Sequence, residues 1–264
     1  MDLGLMNKTA LITGSTKGIG KATAFELAKE GATVLINGRN KEETQRVVEE
    51  IKAAFPATTP RPAAADLVDP RQREDVFNTY PEVDLLVNNM GIYEIMTYQG
   101  ADDDVWETYF RTNVLAANGL ARLYLPGMLE RNFGRILFMA SEEAVMPSGL
   151  MPQYAMTKTM LLSLAKSLSK LTSGAEVTVN TILPGPTLSE NVRAIIESSP
   201  GQTFETFAEK EQAFMKANLP QSELQRFIQP EEIGRLAAFL CSPYASAFRG
   251  SPVRMDGGLV PTIV

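Results

Sequence analysis

Tyr154 and Lys158 stand four residues apart in Gln153-Tyr154-Ala155-Met156-Thr157-Lys158, a stretch that reads as the start of a helix. Helical spacing puts both side chains on one face, one turn from each other. A phenol held beside an ammonium is an acid/base device. At roughly 4 Å and an effective dielectric near 20, their attraction amounts to about 4 kcal/mol. That is roughly three units off the ordinary phenol pKa of about 10, less what desolvation adds back. The same pair also occurs on half-exposed helices that do no chemistry, so the rest of the chain must decide. Histidine is absent from all 264 residues. This excludes a Ser-His-Asp triad, a Cys-His pair and His-ligated metals, and leaves proton transfer near pH 7 to a shifted Tyr, Lys, Asp or Glu. The single cysteine, Cys241, excludes an intrachain disulfide and a multi-cysteine zinc site. It sits in an apolar helical stretch and reads as a small core residue. No metal site is expected.

The elements that must hold such a pair follow from the hydrophobic pattern. Hydrophobic and charged fractions of 44% and 21% are those of an ordinary soluble globule. A net charge of −6 argues against a nucleic-acid surface. No apolar run approaches the roughly 18 residues of a membrane span, and residues 1–8 lack a basic-then-apolar leader. The expectation is a cytoplasmic protein folded as one domain over residues 1–264, with neither nucleic acid nor membrane as partner. Strands are predicted at 8–12, 33–36, 61–65, 83–87, 135–140, 177–183 and 253–255. Helices are predicted to about Lys29, over 41–54, to about Asn78, from Asp102 to Glu130 with a bend at Pro126, from Tyr154 to Leu171, and over 231–240. Residues 187–228 are helical and polar, interrupted by Pro200, Gly201 and Pro220. Alternating strands and helices without two-residue hairpins predict an α/β fold: a Rossmann-type, doubly wound, mostly parallel seven-stranded sheet with helices on both faces.

Between the first strand and first helix lies Thr13-Gly14-Ser15-Thr16-Lys17-Gly18-Ile19-Gly20. Such a turn lets backbone N–H groups and a helix N-terminus face a pyrophosphate. The second strand runs into Asn37-Gly38-Arg39, with no carboxylate to hold a ribose 2′-hydroxyl. Arg39 offers a planar fork for a 2′-phosphate, and Lys17 a second positive charge. These residues point to NADP(H) over NAD(H), unless Arg39 is simply an exposed loop arginine.

Taken together the chain resembles the short-chain dehydrogenase/reductase family over essentially its whole length. The motifs arrive in order: Thr13-Gly14-x-x-x-Gly18-Ile19-Gly20, Asp66, Asn88-Asn89-Met90-Gly91, Asn113, Ser141, Tyr154-x-x-x-Lys158 and Pro184-Gly185. Met90 departs from the family's alanine and is expected to crowd the adenosine side slightly. The resemblance implies a catalytic set of Asn113, Ser141, Tyr154 and Lys158. Tyr154 would be the general acid, Lys158 would lower its pKa and bind ribose hydroxyls, Ser141 would bond the substrate oxygen, and Asn113 would hold a water. It implies further cofactor contacts from Gly14, Ser15, Thr16, Lys17, Gly18, Ile19 and Gly20, from Asp66 to the adenine, and from the backbone of Leu67. Asn88 would brace the central strand, Gly91 would let backbone approach the cofactor, and Pro184, Gly185 and Thr187 would contact the nicotinamide. A homotetramer or homodimer is the usual assembly in the family.

A small carbonyl or alcohol substrate is expected, held by three loops: 92–100, 142–151 and 188–229. Tyr93, Met96, Val145, Met146, Leu150 and Met151 supply an apolar lining, with Phe204, Phe207 and Phe214 as a lid. Glu142 and Glu143 stand where the family more often has small residues. Facing the pocket they would favour hydroxylated or cationic substrates, and facing solvent they would have no role. The nearest type is the 3-oxoacyl-ACP reductase. However, Asn132 and Ala175-Glu176 fall where those enzymes place basic carrier-docking residues, although Arg131 is close. A non-catalytic NADP-binding regulator is the remaining reading, and the presence of Ser141, Tyr154 and Lys158 weighs against it.

Overall fold

The computed structural model describes residues 2–198, 204 and 206–263. Short Val/Leu/Ile-rich segments form the strands, as expected where a parallel sheet is covered on both faces. In chain order these are β1 (Thr9–Ile12), β2 (Thr33–Ile36), β3 (Arg61–Pro62), β4 (Leu85–Asn88), β5 (Gly134–Met139), β6 (Val177–Pro184) and β7 (Pro252–Met255). They pair in the order β3-β2-β1-β4-β5-β6-β7, and every pairing is parallel. The order reverses direction between β1 and β4. Ligands of such sheets bind beyond the strand C-termini at this reversal.

The helices are α1 (Gly18–Lys29), α2 (Lys41–Ala54), α3 (Pro70–Thr79), α4 (Asp103–Tyr109), α5 (Ala116–Glu130), α6 (Pro152–Leu171), α7 (Glu190–Ser198), α8 (Phe207–Asn218) and α9 (Pro230–Cys241). Local chemistry starts several of them. The Asn40 carboxamide accepts from Glu43 N–H, Asp69 from Arg71 N–H and Asp102 from Val105 N–H, each satisfying an orphan donor of a first turn. Proline occupies the first helical position of α3, α6 and α9, where its missing N–H costs nothing.

One apolar core lies between the sheet and α1, α2 and α9, built on Ile12, Leu27, Ile36, Val47 and Ile233. A second, on the opposite face, joins Leu11, Val76, Leu120, Tyr124, Phe138 and Leu161 under α3, α5 and α6. Cys241 is fully buried in the first and free, with its thiol pushed up to about 12 by burial.

Three expectations change. The third strand was expected to run to Ala65 but is two residues long. Ala63 and Ala65 still donate to Ile36 and Gly38 at 2.7 and 3.0 Å, so the chain tracks the sheet edge after Pro62 has removed a ladder donor. The helix expected from Asp102 to Glu130 contains a π-helical stretch, Phe110–Leu115, and α5 then continues past Pro126 to Glu130 as one element. Residues 188–198 and 206–228 form a substructure with its own small core of Leu188, Ile196, Met215 and Phe227. Pro200 and Gly201, read as interruptions, lie outside the described residues.

Candidate active site

β5 ends one residue before Ala140, and Ser141 follows as the first residue of a turn that includes Glu142–Ala144. Ser141 is 6% exposed. Its hydroxyl accepts from Glu143 N–H at 3.3 Å and lies 2.5 Å from Glu142 Oε2. α6 brings Tyr154 and Lys158 to the same place. The Lys158 ammonium is 5.3 Å from the Tyr154 ring centroid and donates to the Met139 carbonyl at 2.7 Å. Burial pushes Lys158 down to about 8.

Burial likewise pushes the Tyr154 phenol above its ordinary value, with Ser141 opposing and the Glu142 carboxylate reinforcing the shift. The lowering expected from Lys158 is therefore not a property of the protein alone. The ammonium is directed to a backbone carbonyl, and the desolvated phenol stays neutral.

Asn113 lies in the π-helical stretch, 1% exposed. Isolated π-turns often mark functional positions. Its carboxamide accepts from Ile92 N–H at 2.8 Å and donates to Ile92 O at 3.1 Å and to Thr157 Oγ1 at 3.0 Å. Thr157 in turn donates to Tyr154 O at 2.7 Å. Asn113 thus ties the loop after β4 to the helix carrying the phenol. A Cβ on Gly91 would stand 3.2 Å from Asn113 Oδ1 and 3.4 Å from Lys158 Nζ, so Gly91 is packed at the centre of the cluster.

The glycine turn lies at the reversal of the sheet. Gly14 and Gly18 have positive φ (61° and 54°), and a Cβ on Gly20 would meet Gly14 O at 2.4 Å. Asn89, not Asn88, does the bracing: its amide donates to Thr13 O at 2.9 Å and Gly14 O at 3.1 Å. Thr13 Oγ1 accepts the N–H groups of Asn89 and Met90 at 2.9 Å each. The buried Asn88 side chain makes no hydrogen bond among the described residues. Ser15 is buried and bonds Ile12 O at 2.8 Å, a structural contact. Asp66 Oδ1 accepts from Val68 N–H at 3.0 Å, and the Leu67 side chain is core. Gly185 N–H bonds Met255 O at 2.9 Å beside Pro184 at the end of β6, and Thr187 Oγ1 donates to Gly185 O at 2.9 Å.

The chain from residue 8 to residue 199 matches the family model described as short chain dehydrogenase. The chain belongs to this family. Among short-chain dehydrogenases it is 47% identical to the uncharacterized oxidoreductase YvaG of Bacillus subtilis, over the full length of both. It is 32% identical to the D-beta-hydroxybutyrate dehydrogenase of Cupriavidus necator, covering 97% of this chain and 99% of that one. Its fold superposes on the crystal structure of L-sorbose reductase from Gluconobacter frateurii, complexed with NADPH and L-sorbose. The TM-score is 0.90, with 32% identity and 100% coverage of both chains.

Short-chain dehydrogenases use a nicotinamide cofactor, and the residues present here fit one. The N-terminus of α1 carries no side-chain cap, leaving its first-turn N–H groups for an anion. Lys17, Thr16 and Ile19 surround it, and Arg39 is exposed, with no ion pair among the described residues. Gly38 packs against Thr16, where a Cβ would come within 2.6 Å of Cγ2, and so sets Arg39 beside the glycine turn.

Several site residues escape a motif reading. Asn37 holds the turn to the sheet edge, accepting from Gly14 N–H at 3.2 Å and donating to Ala63 O at 2.8 Å. Its signal is an amide at the end of a buried strand. Thr13 stands in the glycine motif without an assigned role there, and Thr157 carries no signal beyond its neighbours. Glu142 is half-buried with its carboxyl against Ser141, whereas Glu143 is buried and accepts from Ser148 N–H at 3.0 Å. Of the expected apolar lining, Tyr93, Val145 and Leu150 are exposed. Tyr93 lies 6.0 Å from Tyr154 between ring centroids, and Met96 N–H bonds Leu150 O at 3.0 Å, joining two of the three loops. Phe207 and Phe214 pack inward on the small core of α7 and α8 instead of reaching over the site, because burial there is worth more than exposure at a rim.

Proposed function

We propose that the chain is an NADP(H)-dependent reductase that interconverts a neutral ketone or aldehyde and its alcohol, with Tyr154 as general acid. The carrying observation is the convergence of Ser141, Tyr154 and Lys158 within one turn of α6 and the end of β5. Bound NADPH would supply the hydride. The chain's part is to hold the substrate oxygen between Ser141 and Tyr154 and to keep a proton on the phenol. A buried neutral phenol is in the protonation state that reduction needs. Lys158, held by Met139 O, is placed to return a proton, and Asn113 keeps the helix and the loop after β4 in register.

Arg39 and Lys17 support NADP(H), being exposed cations next to the turn that would carry the pyrophosphate. The inward carboxyl of Glu142 supports a neutral or hydroxylated substrate over an anionic one. A 3-oxoacyl-ACP substrate is weakened by Arg135, which is fully buried and donates to Ser242 O and Glu176 O, so it cannot dock an acidic carrier. The test is oxidation of NADPH and of NADH against a panel of neutral ketones, sugars, 3-oxo acids and an acyl-carrier thioester. Reduction of neutral carbonyls with NADPH is expected. Consumption of neither cofactor with any carbonyl would refute it.

A further inference from the structure

Glu142 has no part in the family chemistry described above, yet its carboxyl touches the serine on which that chemistry depends. Ser141 Oγ lies 2.5 Å from Glu142 Oε2, accepts from Glu143 N–H, and sits against the Tyr154 phenol. A hydroxyl has one proton to donate. A carboxylate only accepts, so an ionised Glu142 holds that proton at Oε2. A substrate carbonyl also only accepts, and Ser141 would then turn nothing but lone pairs toward it. A neutral Glu142 reverses the direction: its O–H donates to Ser141, and the serine proton is released toward the substrate oxygen.

We propose, on the strength of the reductase reading, that Glu142 is a positioning residue that sets the direction of the Ser141 hydroxyl, so that a carbonyl is polarised only while Glu142 carries its proton. No bond to carbon is made or broken in this change. One proton is taken up from solvent at Glu142 Oε2, and Ser141 keeps its own proton and rotates it from Oε2 toward the substrate oxygen.

The surroundings support a carboxyl that titrates in the working range. Burial is the main influence and moves Glu142 up to about 7, opposed by the Ser141 hydrogen bond and reinforced by Glu143 from the same turn. From α6, Lys158 and Tyr154 both feel its charge, and Tyr93 faces Tyr154 from the loop after β4. Glu143 itself is engaged by Ser148 N–H and is not a second acceptor for the serine. A carboxamide at this position keeps the shape and offers a donor at every pH.

The test is the pH dependence of kcat/KM for NADPH-driven reduction of a neutral ketone by the wild type and Glu142→Gln, with infrared titration of both. Wild-type kcat/KM is expected to turn down with a midpoint near 7, and the Glu142→Gln profile to stay level through 7 and turn down only at the higher pH where Lys158 loses its proton. A falling limb of the same midpoint in Glu142→Gln overturns the proposal, since the limb then belongs to Tyr154 or Lys158. In the infrared, the carboxylic-acid C=O band missing from Glu142→Gln is expected to disappear as pH rises through about 7 and to change frequency in Ser141→Ala. A carboxylate already formed at pH 5.5, or a band indifferent to Ser141→Ala, overturns it too. A chain that reduces no carbonyl at any pH sinks the reductase reading instead, and the infrared titration still decides whether Glu142 gates the serine.

Discussion

The Lys158 ammonium is bonded to the Met139 carbonyl at 2.7 Å and makes no hydrogen bond to the Tyr154 phenol four residues away. The last residue of β5 therefore anchors the charge that α6 carries into the site. Burial lowers Lys158 to about 8, so the charged form, though dominant at neutral pH, is less favourable in the folded state than in the unfolded chain.

This has a consequence for stability. Between about pH 8 and 10.5 the unfolded chain binds a proton at Lys158 that the folded chain has given up, so stability contributed by this group rises with pH across that window. Below about 8 the cost is complete, on the order of 3 kcal/mol. Lys158→Met should therefore be more stable than the wild type at pH 7, by up to that amount less lost packing, and the gap should close toward pH 10.5. Urea unfolding at both pH values measures it. A variant less stable at pH 7 would show that the bond to Met139 outweighs desolvation.

Tyr154→Phe should lower kcat for carbonyl reduction by roughly 10²–10⁴-fold, the usual yield of general acid catalysis, while calorimetric NADPH affinity changes little. Near-normal turnover would remove the phenol from the mechanism.

Arg39→Ala should weaken NADPH binding by roughly ten- to a hundredfold, the worth of about 1.5–3 kcal/mol for a hydrogen bond to a charged group, and leave NADH nearly unaffected. Equal losses for both cofactors would mean that Arg39 senses no 2′-phosphate.

Asn113→Ala removes three hydrogen bonds, one buried and two part-buried, that tie Ile92 and Thr157 together. The groups left unpaired should cost about 2–4 kcal/mol in unfolding free energy, and Thr157→Val, which spares the bonds to Ile92, about 1 kcal/mol. Equal effects in the two variants would place the clamp on Thr157 alone.

The fold was legible because its strands are short apolar runs separated by helical patterns, and the parallel order follows from the missing hairpin turns. The shared helical face of Tyr154 and Lys158 was legible from their spacing, whereas Ser141 entered through the resemblance of the ordered motifs to the family. What spacing does not encode is where a charged head goes once a site is dry. Lys158 turning to Met139 O, Tyr154 shifting upward and Glu142 turning inward all depend on desolvation by residues distant in the chain. The π-turn at Asn113 was hidden for a related reason, since one extra residue per turn leaves the apolar pattern of a long helix nearly intact. Asn88 and Asn89 are adjacent and chemically identical, so only the pleat of β4 tells which one meets the glycine turn.

The small apolar nucleus formed by Leu188, Ile196, Met215 and Phe227 is separate from both cores of the sheet, and a parallel bridge between Thr187 and Ile228 closes its base. Further bonds from Leu224 N–H and Ser222 to Gly257 O fasten the segment to the turn after β7. A substitution at Ile196 or Met215 therefore disturbs a nucleus that shares no residue with the cores holding β5 and α6 in place.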